Sequence, residues 1–255
     1  MPISDEERAS LVLELASVVH RHGKERLLEG TLVEPTSAYF GEAMDGSDDA
    51  LVRLGGDVFG YAGLPTVRLG VDPVRLPRER SGGGGSAVVV PWGPVEVLRV
   101  VASQCSLLAS SDLADLPGVV ASLCRAAALV FDDGAARASP YRSEGWRLPE
   151  TDAERRRVDV MTVYLGLGLL TTNDSYRFLL IHKSNGRKDH VHRRAGFLGE
   201  EAMSFLLALQ VRARGLGRRE AQRLATLLET NQADYFRDAW DEIDDAECAA
   251  LLEGG

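Results

Sequence analysis

Apolar positions recur at helical spacing almost from the start of the chain. Ser4 and Glu7 have the spacing of a capping box, which satisfies backbone N–H groups that a helix's first turn leaves orphaned. Leu11, Leu15, Val18 and Val19 carry that helix on, and Gly23 suits its end. A second helix is expected after Ser47, with Leu51, Leu54, Val58 and Phe59 on one face. Thr66 to Val71 alternates as a half-buried strand does, and Ala87 to Val90 is a short strand candidate. Val95 to Ala109 and Gly118 to Phe131 read as two Ala- and Val-rich helices, and a long helix is expected from Asp152 to about Thr171. Asn185-Gly186, between Tyr176–Lys183 and Lys188–His192, predicts a β-hairpin closed by a two-residue turn. Helices are expected over Glu200–Arg214, Arg218–Glu229 and Gln232–Glu242, with a short one at the tail.

A mixed beginning followed by mostly helical sequence predicts an α+β class: a mainly helical single globular domain over 1–255 with a small sheet or hairpins. Between Asp72 and Ser86 the composition turns to Pro, Arg and Gly, so 72–86 is expected to be a flexible loop. Its glycine run 82–85 fits a natural loop or an engineered one equally. With 45% hydrophobic residues the chain can bury a large core without staples. Three scattered cysteines, Cys105, Cys124 and Cys248, argue for a reducing compartment, and an acidic start where a signal peptide would be basic points to the cytoplasm. Val158 to Leu170, the longest apolar run, falls short of the roughly 20 residues that span a bilayer, so no membrane partner is expected.

The formal charge of −9 opposes non-specific attraction to phosphate backbones. Two basic runs, Arg155–Arg157 and a second of Lys183, Arg187, Lys188, Arg193 and Arg194, read as solvated faces, so nucleic acid is not the expected partner.

Most chemistry that can be recognised by spacing is missing. There is no P-loop, no Gly-x-Ser-x-Gly elbow and no cysteine spacing suited to a metal. Cys124 lies in an apolar stretch and reads as a core thiol. His20 and His22, two apart on a helix, read as surface residues. His182, Asp189, His190 and His192 resemble a metal cluster when written as a string. A two-residue turn at Asn185-Gly186 would pair His182 with Asp189, His190 with Ile181 and His192 with Leu179, sending His190 and His192 to the face opposite His182. No metal or other cofactor is therefore expected. Arg187, Lys188, His190 and His192 are instead a candidate interface for a protein or peptide.

Two stretches carry a resemblance. Val158-Asp159-Val160-Met161-Thr162-Val163-Tyr164-Leu165-Gly166-Leu167-Gly168-Leu169-Leu170-Thr171-Thr172-Asn173, followed by Gly196-Phe197-Leu198-Gly199-Glu200-Glu201-Ala202, resembles the C-terminal half of bacterial zinc metallopeptidase-like proteins. In that family an upstream helix carries His-Glu-x-x-His, and the helix resembling Val158–Asn173 supplies a further acidic ligand. The resemblance aligns the upstream helix with Val119–Val130. Arg125 and Leu129 then stand at the two histidine positions, Ala126 at the general-base glutamate and Arg155 at the acidic ligand. Two histidines four apart share one helix face, and a glutamate between them can take a proton from metal-bound water. Arg, Ala and Leu can do neither. By the same resemblance Asp159 matches a carboxylate that orients a ligand histidine, so Asp159 and Arg125 are expected within ion-pair distance.

The resemblance thus implies a zincin-like scaffold without its metal, catalytically inactive and acting as a protein-interaction or regulatory module. The alternative is an enzyme, or a small-molecule or peptide binder, whose site has no recognisable spacing. The sequence is silent on oligomeric state.

Overall fold

A computed structural model describes residues 3–40, 45–76, 88–90, 92–101, 103–110, 113, 115–137, 148–182 and 188–253. Among these, ten helices and two three-stranded sheets form a mainly helical α+β fold.

Helix α1 (Asp5–His22) starts as its cap predicts: the Ser4 hydroxyl accepts the Glu7 N–H at 3.2 Å, and Gly23 ends it at φ 88°. A short α2 (Glu25–Glu29), not foreseen, precedes α3 (Asp48–Tyr61), where the Ser47 hydroxyl accepts from the Ala50 N–H. Strand β1 (Arg68–Leu76) runs through Asp72–Leu76, the first part of the expected flexible loop; 77–86 lies outside the described residues. β2 is Val88–Val90.

Val95–Ala109 is a hairpin, not a helix. Strands β3 (Val95–Val101) and β4 (Gln104–Ser110) pair antiparallel, and β1 joins β4 in parallel. Val95, Val97 and Val100 on one strand, and Cys105, Leu107 and Ala109 on the other, turn inward as one face of a sheet.

Next come α4 (Leu116–Arg137), α5 (Asp152–Tyr164) and α6 (Gly168–Ser175). Thr151 and Glu154 close a full capping box at the start of α5. The single helix expected to Thr171 breaks after Tyr164 because Gly166 adopts φ 82° and offers its carbonyl to the Val33 N–H at 2.9 Å. A Cβ there would lie 2.0 Å from the Thr31 carbonyl oxygen, a position only glycine can occupy.

Strands β5 (Arg177–His182) and β6 (Lys188–Ala195) form the expected hairpin, with β2 parallel to β6. Its register differs by one: His182 pairs with Lys188, Leu180 with His190 and Phe178 with His192. Residues 183–187, including Asn185-Gly186, lie outside the described residues. Helices α7 (Glu200–Ala213), α8 (Arg218–Ala225), α9 (Thr230–Glu242) and α10 (Asp245–Glu253) complete the chain. One hydrophobic core runs from Leu11 to Leu251, with α4 and α7 its most deeply buried members. No described helix is long and apolar enough to cross a membrane.

Candidate functional site

Helix α4 is apolar around most of its circumference, as a central helix must be, and it carries one cation into the core. Arg125 stands between Cys124 and Ala126 with no exposed surface. A charge cannot stay there without partners. Its Nε donates to Asp159 Oδ1 on α5 and its Nη1 to Asp174 Oδ2 on α6, each at 3.0 Å. Both carboxylates are as buried as the guanidinium. The expected contact between Arg125 and Asp159 is present, and Asp174 is a second anion that sequence reasoning missed.

The loop after β6 closes over this pair. Asp159 Oδ2 accepts the N–H groups of Phe197 at 2.6 Å and Leu198 at 2.9 Å. Gly196 (φ 85°) permits the approach, since a Cβ there would come within 2.8 Å of Arg125 Nη2 and Asp159 Oδ2. The charges continue outward. Arg177 Nη1 is 3.6 Å from Asp174 and 2.5 Å from Asp115, and Arg193 Nη1 donates to the other Asp115 oxygen. Asp159, Arg125, Asp174, Arg177, Asp115 and Arg193 therefore alternate in sign and sum to zero.

Burial disfavours the Arg125 cation, but Asp159 and Asp174 outweigh it and raise its pKa, so it stays protonated. Burial pushes the Asp174 carboxyl up, against Arg125, Arg193 and Arg177. A guanidinium locked in its charged form is neither a general base nor a metal ligand. Arg125, Asp159 and Asp174 are sealed from solvent, whereas Arg177 and Asp115 at the outer end of the chain of charges are partly exposed.

The other positions that the resemblance aligns with a metal site separate. Ala126 and Leu129 lie in the core. Arg155, one turn before Asp159 on α5, reaches the surface, where its partner is Asp152 at 3.4 Å. It lines a cleft of about 420 Å³ with Trp92, Asp152, Arg156 and Phe197. Trp92 and Phe197 meet edge to face, centroids 5.1 Å apart, and the Phe197 backbone is the same one bound to Asp159. One wall of the cleft is thus tied to the buried pair.

The basic runs are less solvated than expected. Arg156 bonds Glu7 and Glu14, Arg157 bonds Asp132, and Arg193 is buried. His22 is also corrected: its side chain is only 4% exposed, with Nε2 3.2 Å from Asp132 Oδ1 and its ring clustered with those of Phe131 and Tyr164. It is buried because α1 packs against α5 at its C-terminal end, a long-range contact no local spacing announces.

On the hairpin, Arg187 lies outside the described residues, while Lys188 and His190 hold register positions opposite His182 and Leu180. His192 is exposed, its Nδ1 2.6 Å from the Tyr176 hydroxyl and its ring against Phe178, itself 57% exposed. Because the register differs by one, positions 182, 190 and 192 share a face, contrary to the expected split. Among the described residues no three His, Cys, Asp or Glu side chains gather as a metal ion requires.

Burial pushes the Cys105 thiol up to about 12 and the Cys124 thiol up as well, which removes both as nucleophiles. No protein-family model, curated protein or solved structure matches the chain.

Proposed function

We propose that the protein is a catalytically inactive, metallopeptidase-like scaffold that works as a protein-interaction or regulatory module in a bacterial cytoplasm. The observation that supports this reading is the Arg125 cluster. At the position where the resemblance requires a metal-ligating histidine stands a buried guanidinium, held at 3.0 Å by the carboxylate that would have oriented that histidine. The cation takes over the metal's electrostatic task of neutralising the acidic groups around it, and none of its chemistry.

The cleft outside it supports a binding role. Aromatic walls with a guanidinium at the rim suit a peptide segment carrying a carboxylate, which Arg155 can grip bidentately. Arg187, Lys188, His190 and His192 are the second candidate surface. The three unpaired cysteines, Cys105, Cys124 and Cys248, fit a reducing compartment.

Elemental analysis and peptidase assays on the purified chain test the reading. Expected are no zinc that survives dialysis and no hydrolysis of peptide libraries. One zinc per chain, together with activity lost on Asp159→Asn, would overturn it. Thermal shifts with acidic peptides, compared between the wild type and Arg155→Glu, test the cleft as the docking surface.

A further inference from the structure

Apart from the buried cluster and the cleft, the molecule holds a second pair of arginines whose surroundings differ in kind. Arg8, Arg125, Arg156, Arg157, Arg177, Arg193 and Arg223 each bond a carboxylate. Among the described residues Arg26 and Arg214 bond none. Arg26 on α2 donates through Nη2 to the Tyr61 carbonyl, and Arg214, just past α7, donates through Nη1 to the Gly30 carbonyl at 2.6 Å. Their other buried donors, Arg26 Nε and Arg214 Nε and Nη2, meet no acceptor.

Each cation sits at a helix C-terminus, where the partial negative charge of orphan carbonyls is some compensation. One carbonyl per guanidinium leaves most of each fork unused, and the two cations repel. Burial, then the Arg26 charge, lowers the Arg214 pKa to about 10. Burial lowers Arg26 as well, and no carboxylate works in the other direction on either residue. Two partly buried like charges without a counter-charge are costly to fold.

We propose that Arg26 and Arg214 form a binding site for a phosphate group, at the junction of α2 with the ends of α3 and α7. A phosphate dianion matches the pair's charge of +2 and offers acceptors to both forks, the geometry guanidinium groups bind best. Arg26 Nη1 lies 3.1 Å from where a Gly63 Cβ would be, and Gly63 is exposed, so the ligand approaches from that side. Absence of a side chain there, at φ 81°, keeps the approach open. The site involves neither Arg125 nor the cleft, and stands or falls independently of the reading above.

The test is calorimetric titration of the full-length chain with inorganic phosphate in chloride buffer of matched ionic strength, with melting curves in parallel. The wild type is expected to bind one phosphate per chain and to melt higher in phosphate than in chloride. Arg26→Gln and Arg214→Gln should each weaken binding by roughly tenfold or more, the loss of one charge-assisted hydrogen bond. Arg214→Lys, which keeps the charge and the fold but not the fork, should weaken it less than Arg214→Gln. Arg237→Gln, at an exposed arginine paired with Asp234 outside both sites, should bind as the wild type does. Phosphate stabilises many proteins by exclusion from their surfaces. A melting shift without calorimetric binding, or binding undiminished in both Gln variants, would overturn the proposal.

Discussion

Arg125 shows how differently one residue type behaves with burial. Its guanidinium is enclosed and bonded to two buried carboxylates, whereas Arg155 on the neighbouring helix is nearly half exposed and bonded to an exposed one. Arg125→Ala leaves Asp159 and Asp174 in the core with reduced compensation, so a loss of about 3–5 kcal/mol is expected in urea unfolding. Arg155→Ala should stay within about 1 kcal/mol of the wild type. Equal effects would mean the buried cluster is solvated in solution. His22, Arg157 and Asp132 give the chain an acid sensitivity. Burial works against the Asp132 carboxylate, yet the bond from His22 and the charges of Arg157 and Arg21 hold its pKa down at about 2. A depressed carboxyl contributes stability above its unfolded pKa and loses it as pH falls through the folded value. The window is therefore from about pH 4 down to about pH 2, worth about 2 kcal/mol. Asp132→Asn should flatten unfolding midpoints across that window, and an unchanged slope would show that the contact is not formed.

At the scale of elements, starts were legible and interruptions were not. Ser4 and Ser47 each precede an expected helix and each accepts the N–H of the residue three on, because capping is local chemistry; Thr151 does the same at the start of α5, where the sequence predicts only the helix itself. The β3–β4 hairpin went unread because its alternation is broken in the sequence itself: the register shifts between Val97 and Arg99, so Val95, Val97 and Val100 do not keep a strict period of two. Its turn contains no glycine or proline to mark it. The break at Gly166 depends on a carbonyl more than 130 residues away, invisible to any window along α5. Gly166→Ala tests how much that break matters. The added Cβ must displace the Thr31 carbonyl and hold φ 82°, for a cost of at least about 2 kcal/mol by denaturant midpoint. A variant as stable as the wild type would show that α5 and α6 can join into one helix without loss. The hairpin register was missed for a related reason, since a turn assigned two residues fixes pairing one position away from the observed His182 with Lys188.

Over the whole molecule, the contact between Arg125 and Asp159 followed from a resemblance, while Asp174, Asp115, Arg177 and Arg193 had no signature because the fold alone brings them to that chain of charges. The scaffold reading can therefore be tested by reversing the substitutions that distinguish the chain from the family it resembles. On α4, positions 125 and 129 are one turn apart and share a face, and on α5 positions 155 and 159 do the same. Arg125→His, Ala126→Glu and Leu129→His together supply two imidazoles and a base, and Asp159, already against position 125, would receive a ring N–H and orient it. Asp174 would keep Arg177 at 3.6 Å as its counter-charge. The triple variant still lacks the third ligand, because position 155, which the resemblance assigns that role, holds a cation that cannot ligate a divalent metal and turns to Asp152 at the surface. It is expected to hold no stoichiometric zinc after dialysis. Adding Arg155→Glu completes three ligands, so the quadruple variant should bind one zinc and melt higher with zinc than without, as metal binding is coupled to folding. Zinc bound by the triple variant would place the third ligand elsewhere. A folded quadruple variant that binds none would leave the proposed metallopeptidase-like reading without physical support.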